Sequence, residues 1–347
     1  MNEASVPSDT VSDNDPSRAD TPSDATASAP KRPKANRSAI AWLQLARAAA
    51  VFTTFADIGA GFLLVRGAWT PPELFATLCL SSGCLYAAGM ILNDYFDRHV
   101  DAVERPKRPI PSGRITAGAA AGSGFALLGA GVFAAAWVGP MSCAVASVLA
   151  LCIVAYDALL KRTSLFGPLS MGACRALNLL LGASVAALPL DGPLSASDRI
   201  APLAVIDSRA FPFALGTGLY IAGVTWFARH EAGTSPRWQL GGALMVVNAG
   251  LGWLAWRVLE TPVSVVPQMN VALILGLVGV TINRRALGAI FDPRPAVVQG
   301  TIRLMLTSLV VIDATLALTA SDPWPWPVLI LSLLIPVTLL GKRLAIT

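Results

Sequence analysis

The sequence predicts an all-α protein, a polytopic membrane bundle of nine or ten transmembrane helices. Three observations predict it. Of the 347 residues, 54% are hydrophobic and only 14% charged, whereas soluble domains carry roughly a quarter charged residues. The apolar residues gather into runs near twenty residues long, the length that crosses a bilayer. The remaining cations cluster in alternate intervals between those runs, as the positive-inside rule requires.

The same composition excludes other classes. The net charge of +5 is spread over short clusters with no continuous basic face, which argues against nucleic acid. The five cysteines, Cys79, Cys84, Cys143, Cys152 and Cys174, lie inside apolar runs without a Cys-x-x-Cys pair. They read as small buried hydrophobes. His99 and His230 are the only histidines, too few for a histidine-based metal site.

Residues 1–37 are rich in Ser, Asp, Thr, Pro and Ala and hold six acids and one cation in the first thirty positions. Such a segment has little to bury and is expected to be a disordered tail, without the basic start and apolar core of a signal peptide. Lys31, Arg32, Lys34 and Arg37 precede the first apolar run, which predicts a cytoplasmic N-terminus. The membrane domain then occupies 38–347. Its expected spans are 40–65, 73–92, 117–138, 141–158, 168–188, 213–228, 240–259, 267–282, 297–318 and a tenth at 326–341. Arg47 is placed either to snorkel or to turn inward. Arg175 and Asn178, costly in lipid, are expected to face the bundle interior. Trp324 and Trp326 flank a span end as interfacial anchors, and the Gly and Ala of the third and seventh spans suit close helix packing.

Basic clusters follow spans two, four, six and eight (98–114, 161–162, 229–237, 284–294), while the opposite loops hold only Arg66, Arg199, Arg209 and Arg257. All polar clusters therefore fall on one membrane face, predicted to be cytoplasmic. The richest is Leu92 to Arg114, with four acids and five cations. Asn93, Asp94, Asp97 and Asp101 are spaced to share one helix face. Like charges so crowded need a cation between them, and oxygen donors suit Mg²⁺. Arg98, Arg105, Lys107, Arg108 and Arg114 follow at once, which suits a polyanion such as a diphosphate.

Asn93-Asp94-x-x-Asp97-x-x-x-Asp101, then Arg105-Pro-x-Arg108-Pro-x-Pro-Ser-Gly-Arg114, resembles the first aspartate-rich motif of the UbiA superfamily of intramembrane prenyltransferases. The resemblance implies a UbiA-like bundle, typically of nine spans, and Mg²⁺-dependent transfer of an isoprenyl group from an allylic diphosphate to an acceptor. It implies metal binding by Asn93, Asp94, Asp97 and Asp101, and diphosphate binding by Arg105, Arg108, Lys161 and Arg162. Tyr156 and Lys161 match the Tyr and Lys that the family places after the fourth span, giving Asp94, Asp97, Tyr156 and Lys161 as the catalytic set. Arg175 and Asn178 are candidates for acceptor or diphosphate contact, or for pairing across helices.

The second motif departs from the family. Where two or more aspartates are usual, this chain has Arg229, His230 and Glu231. That pattern is similar to the EboC-like members, the membrane proteins encoded in ebo-type gene clusters. Glu231 is kept as a metal ligand and Arg229 as a diphosphate partner. The competing functions are a transporter and a prenyl-lipid binder without catalysis. Transporters place ionisable groups at mid-membrane; concentration of charge at one surface favours the enzyme. The expected setting is the bacterial plasma membrane, with prenyl diphosphate, an unidentified acceptor and lipid as partners.

Overall fold

The computed structural model describes residues 34–188, 208–231, 233–261, 266–320 and 325–344. Residues 1–33 of the tail expected at 1–37, most of the external loop, at 189–207, and Trp324 lie outside the described residues. Among the described residues every regular element is helical: α1 (Lys34–Leu45), α2 (Val51–Arg66), α3 (Pro72–Phe96), α4 (Arg98–Glu104), α5 (Ala117–Val138), α6 (Pro140–Ala158), α7 (Phe166–Ala183), α8 (Ala210–Phe227), α9 (Arg237–Glu260), α10 (Gln268–Phe291), α11 (Pro295–Ala317), α12 (Pro325–Ser332) and α13 (Leu334–Leu344). Eight of these, α3 and α5 to α11, are long and apolar enough to cross a membrane. The chain is an integral membrane protein.

Local chemistry sets the ends. Proline opens α3, α6 and α11 at the first turn, where its missing N–H costs nothing. The Thr116 hydroxyl accepts from the Ala119 N–H at 3.2 Å and caps α5. Gly67, at φ 73°, closes α2 with its N–H on the Leu63 carbonyl.

Helices pack in a closed circuit, α2–α3–α5–α6–α7–α8–α9–α10–α11 and back to α2, and α2 also crosses to pack on α7. That crossing is close because it lacks side chains. A Cβ on Gly61 would lie 2.0 Å from the Leu179 carbonyl oxygen, and one on Gly182 2.4 Å from that of Ile58. The expected glycine packing of the third and seventh spans is present: Gly124 and Gly131 of α5 meet Leu92 and Leu85 of α3, and Gly250 of α9 meets the Tyr220 backbone.

Three expectations are corrected. The first span, expected over 40–65, is broken at residues 46–50 into α1 and the sixteen-residue α2. Arg47 sits at the break with φ 46°. The expected basic loop from Asn283 is instead the last turns of α10, which runs on to Phe291. The tenth span is divided, at Leu333, into α12 and α13. Trp326 packs on Trp69 with ring centroids 5.3 Å apart.

Candidate active site

The aspartate-rich segment folds as an almost unbroken ladder. The Asp97 N–H donates to the Asn93 carbonyl at 3.0 Å, Asp101 to Asp97 at 2.8 Å and Arg105 to Asp101 at 2.9 Å. Asn93, Asp97 and Asp101 are thereby stacked one turn apart, as their spacing predicts. Asp94 and Asp101 are buried and Asp97 is one quarter exposed.

Proline and glycine then turn the chain back. Gly113 takes φ 72°, a conformation that favours glycine, and its N–H bonds the Ile110 carbonyl. Ile110 and Ile115 bury against Ala41 and Leu45 of α1. The Arg114 guanidinium ties the turn together, donating to the Lys107 carbonyl and to Gln44 of α1, each at 2.9 Å. Arg114 is a structural anchor for the loop that carries Arg105 and Arg108.

The acids each lean on a cation. Arg108 Nη1 reaches Asp101 Oδ2 at 2.6 Å and Asp94 Oδ1 at 3.1 Å. Arg47 Nη2 lies 3.8 Å from Asp94, so the arginine turns inward. Lys161 Nζ, on the 3₁₀ turn Leu160–Arg162 after α6, pairs with Asp97 at 2.8 Å and donates to the Asn93 carbonyl at 3.4 Å. The Asn93 amide donates to Asp157 Oδ1 at 2.9 Å. Asp157, buried at the end of α6, is a site residue that sequence reasoning missed. Its signal was an acid directly after Tyr156, itself within electrostatic reach of Asp157, Arg47 and Asp97.

A cavity of about 750 Å³ opens beside this ladder, lined by Arg47, Asp94, Arg105, Lys107, Arg108 and Glu231 among others. Glu231 thus lines the same cavity as Asp94. The residues expected to hold a metal, Asn93, Asp94, Asp97, Asp101 and Glu231, divide into two groups in the structure. Asp94 and Asp101 converge on Arg108, while Asn93 and Asp97 turn toward Asp157 and Lys161. Among the described residues no three His, Cys, Asp or Glu side chains are gathered as a metal site. Acids this crowded repel, so each takes the nearest cation. Their oxygen donors still match Mg²⁺ in kind.

Several expected partners lie elsewhere. Arg229 donates to the Thr163 and Arg162 carbonyls, at 2.8 and 3.2 Å, and so braces the Lys161 turn from the 3₁₀ turn Ala228–His230 after α8. Arg162 itself is exposed. His230 Nδ1 bonds Gln239 at 2.6 Å, a local structural contact. Arg175 and Asn178 both turn to Asp57 of α2, at 2.7 and 2.9 Å, and neither lines the cavity. Asp57, Arg175 and Asp313 form a charged group inside the bundle. This corrects the expectation that ionisable residues keep to one face.

The profile of the UbiA prenyltransferase family matches residues 50–235, more than half of the chain. The chain belongs to the UbiA prenyltransferase family. Among its relatives, the digeranylgeranylglyceryl phosphate synthase of Ignicoccus hospitalis is 35% identical over 142 residues, 41% of this chain and 46% of the relative. That of Methanopyrus kandleri is 29% identical over 246 residues, 65% of this chain and 85% of the relative. The chain thus spans less than half the length of the first of these relatives. A solved digeranylgeranylglyceryl phosphate synthase superposes with a TM-score of 0.58 at 15% identity, over 82% of this chain and 98% of that one. A UbiA homolog from Archaeoglobus fulgidus bound to GPP and Mg²⁺ gives 0.55 at 16% identity, over 84% and 99%. At such identities the likeness carries the UbiA fold, and the match includes both halves of the helical circuit.

Proposed function

We propose that this UbiA-family protein transfers an isoprenyl group from an allylic diphosphate to an acceptor, using the cavity beside the aspartate ladder. One observation carries the reading: Asp94 lies on the wall of a cavity rimmed by Arg47, Arg105, Lys107 and Arg108, where acids for a cation and cations for a polyanion meet. Asn93, Asp94, Asp97 and Asp101 are the donors that would hold Mg²⁺, with Glu231 opposite. When bound, Mg²⁺ offsets the charge that builds on the leaving diphosphate.

Arg108 and Lys161 are held by Asp94, Asp101 and Asp97, and they are the cations for which a diphosphate would compete. Arg105 and Lys107 add charge from the loop, and Arg229 keeps the Lys161 turn in place. Tyr156 lies within electrostatic reach of Asp157, Arg47 and Asp97. An apolar bundle interior excludes water from the allylic cation. The relatives' names, digeranylgeranylglyceryl phosphate synthases, and the neighbour bound to GPP and Mg²⁺ support this class of reaction. The alternation of basic loops supports a cytoplasmic site in a bacterial plasma membrane, and the reduced second motif supports an EboC-like branch. That reduction also favours a second reading, a prenyl-lipid binder without turnover.

Purified protein incubated with Mg²⁺, allylic diphosphates of several lengths and extracted native lipids tests both. The enzyme releases diphosphate and forms a lipid of increased mass; EDTA abolishes both. Binding of the prenyl diphosphate without release favours the second reading.

A further inference from the structure

Inside the bundle a second group of charges lies apart from the cavity. Asp57 of α2 is fully buried. Its Oδ2 accepts from Arg175 Nη1 and from the Asn178 amide, while its Oδ1 has no donor. Asp313 of α11 is also fully buried, and neither of its oxygens has a donor. The two helices pack face to face here, with Ala56, Val310 and Ala314 in one buried cluster. The Asp313 carboxyl comes within hydrogen-bonding reach of Asp57. Three of the four oxygens in this pair thus lack a donor, although the two groups meet.

Counting charge identifies what completes the pair. Two ionised carboxylates against the single guanidinium of Arg175 would leave a net negative charge fully buried among apolar helices, with like charges in contact. Among the described residues the other groups facing them supply no second cation. From α8, Tyr220 neighbours Asp313, and its hydroxyl donates to the Met305 carbonyl at 2.7 Å. From α3, Tyr86 neighbours Arg175. A metal ion needs more ligands than two carboxylates provide. A proton needs only two oxygens, and it is itself the missing donor.

We propose that Asp57 and Asp313 share one proton at neutral pH, forming with Arg175 an electrically neutral clamp across α2, α7 and α11. One carboxyl donates its O–H to the other, and Arg175 offsets the charge that remains. The site binds a proton inside the membrane. It is separate from the acids of the cavity and independent of the reaction performed there.

Infrared difference spectra of the full-length protein in lipid nanodiscs test the clamp. Wild type minus Asp313→Asn at neutral pH is expected to show one protonated-carboxyl C=O band, shifted in heavy water. The asparagine variant keeps the fold, since its amide replaces the acid O–H as donor to Asp57. The second readout is resistance to unfolding by sodium dodecyl sulfate as a function of pH. A folded state that binds one extra proton loses stability as pH rises, tenfold in the folding equilibrium per pH unit. Asp313→Asn is expected to flatten that slope by one proton. Identical spectra, or a slope unchanged in the variant, would overturn the proposal. So would a wild type without the band whose stability tracks sodium concentration, because a metal cation would then occupy the pair.

Discussion

The acids of the ladder beside the cavity and the acids of the interior are the same residue type under opposite arrangements. Asp94, Asp97 and Asp101 share three cations, Arg47, Arg108 and Lys161, on separate chain segments beside an open cavity. Asp57 and Asp313 have one, Arg175, locked among α2, α7 and α11. Matched counter-charge beside an open cavity can be exchanged for a ligand. A single counter-charge shared by two fully buried carboxyls cannot. The first group is built to trade partners and the second to keep them.

Variants that break this contrast rank by expected effect. Arg175→Ala strands two buried carboxyls and should cost about 3–5 kcal/mol, read as lost resistance to detergent unfolding; a loss no larger than that of Arg108→Ala would erase the distinction. Asp94→Ala should leave the fold intact and lower diphosphate release by about 10²–10³-fold, the range for removing one group that stabilises developing charge. Gly182→Ala places a methyl against the Ile58 backbone and should destabilise by about 1–3 kcal/mol, with no change in metal dependence. Arg108→Ala, which leaves Asp94 and Asp101 without their closest cation, should cost about 1–3 kcal/mol in EDTA. Mg²⁺ should restore that loss, whereas it should not rescue Arg175→Ala. Thermal unfolding of both variants with and without Mg²⁺ checks this last pair.

Much of the fold could be read from the chain. The third span, expected at 117–138, is α5 to the residue, because Thr116 and Gly139 punctuate an unbroken apolar run. The stacking of Asn93, Asp97 and Asp101 followed from spacing alone. The break at 46–50 did not, since Ala46-Arg47-Ala48-Ala49-Ala50 has the composition of a good helix. The inward turn of Arg175 and Asn178 was legible as a cost of lipid exposure, but their partner was not. Asp57 lies 118 residues from Arg175, and local periodicity carries no information about which helices meet. A lone acid inside an apolar run was the available signal for Asp57 and Asp313. Asp157 had a similar signal at the end of α6, and its partner Asn93 is likewise remote.

The glycine contact between α2 and α7 has a consequence for any long hydrocarbon guest. Where Gly61 and Gly182 bring the two backbones together, no acyl or isoprenoid chain can slip between them. In plan the helical circuit resembles a figure eight, pinched where Gly61 and Gly182 touch the opposite backbone. A tail that starts in one lobe must pass that pinch at another level or leave through another seam.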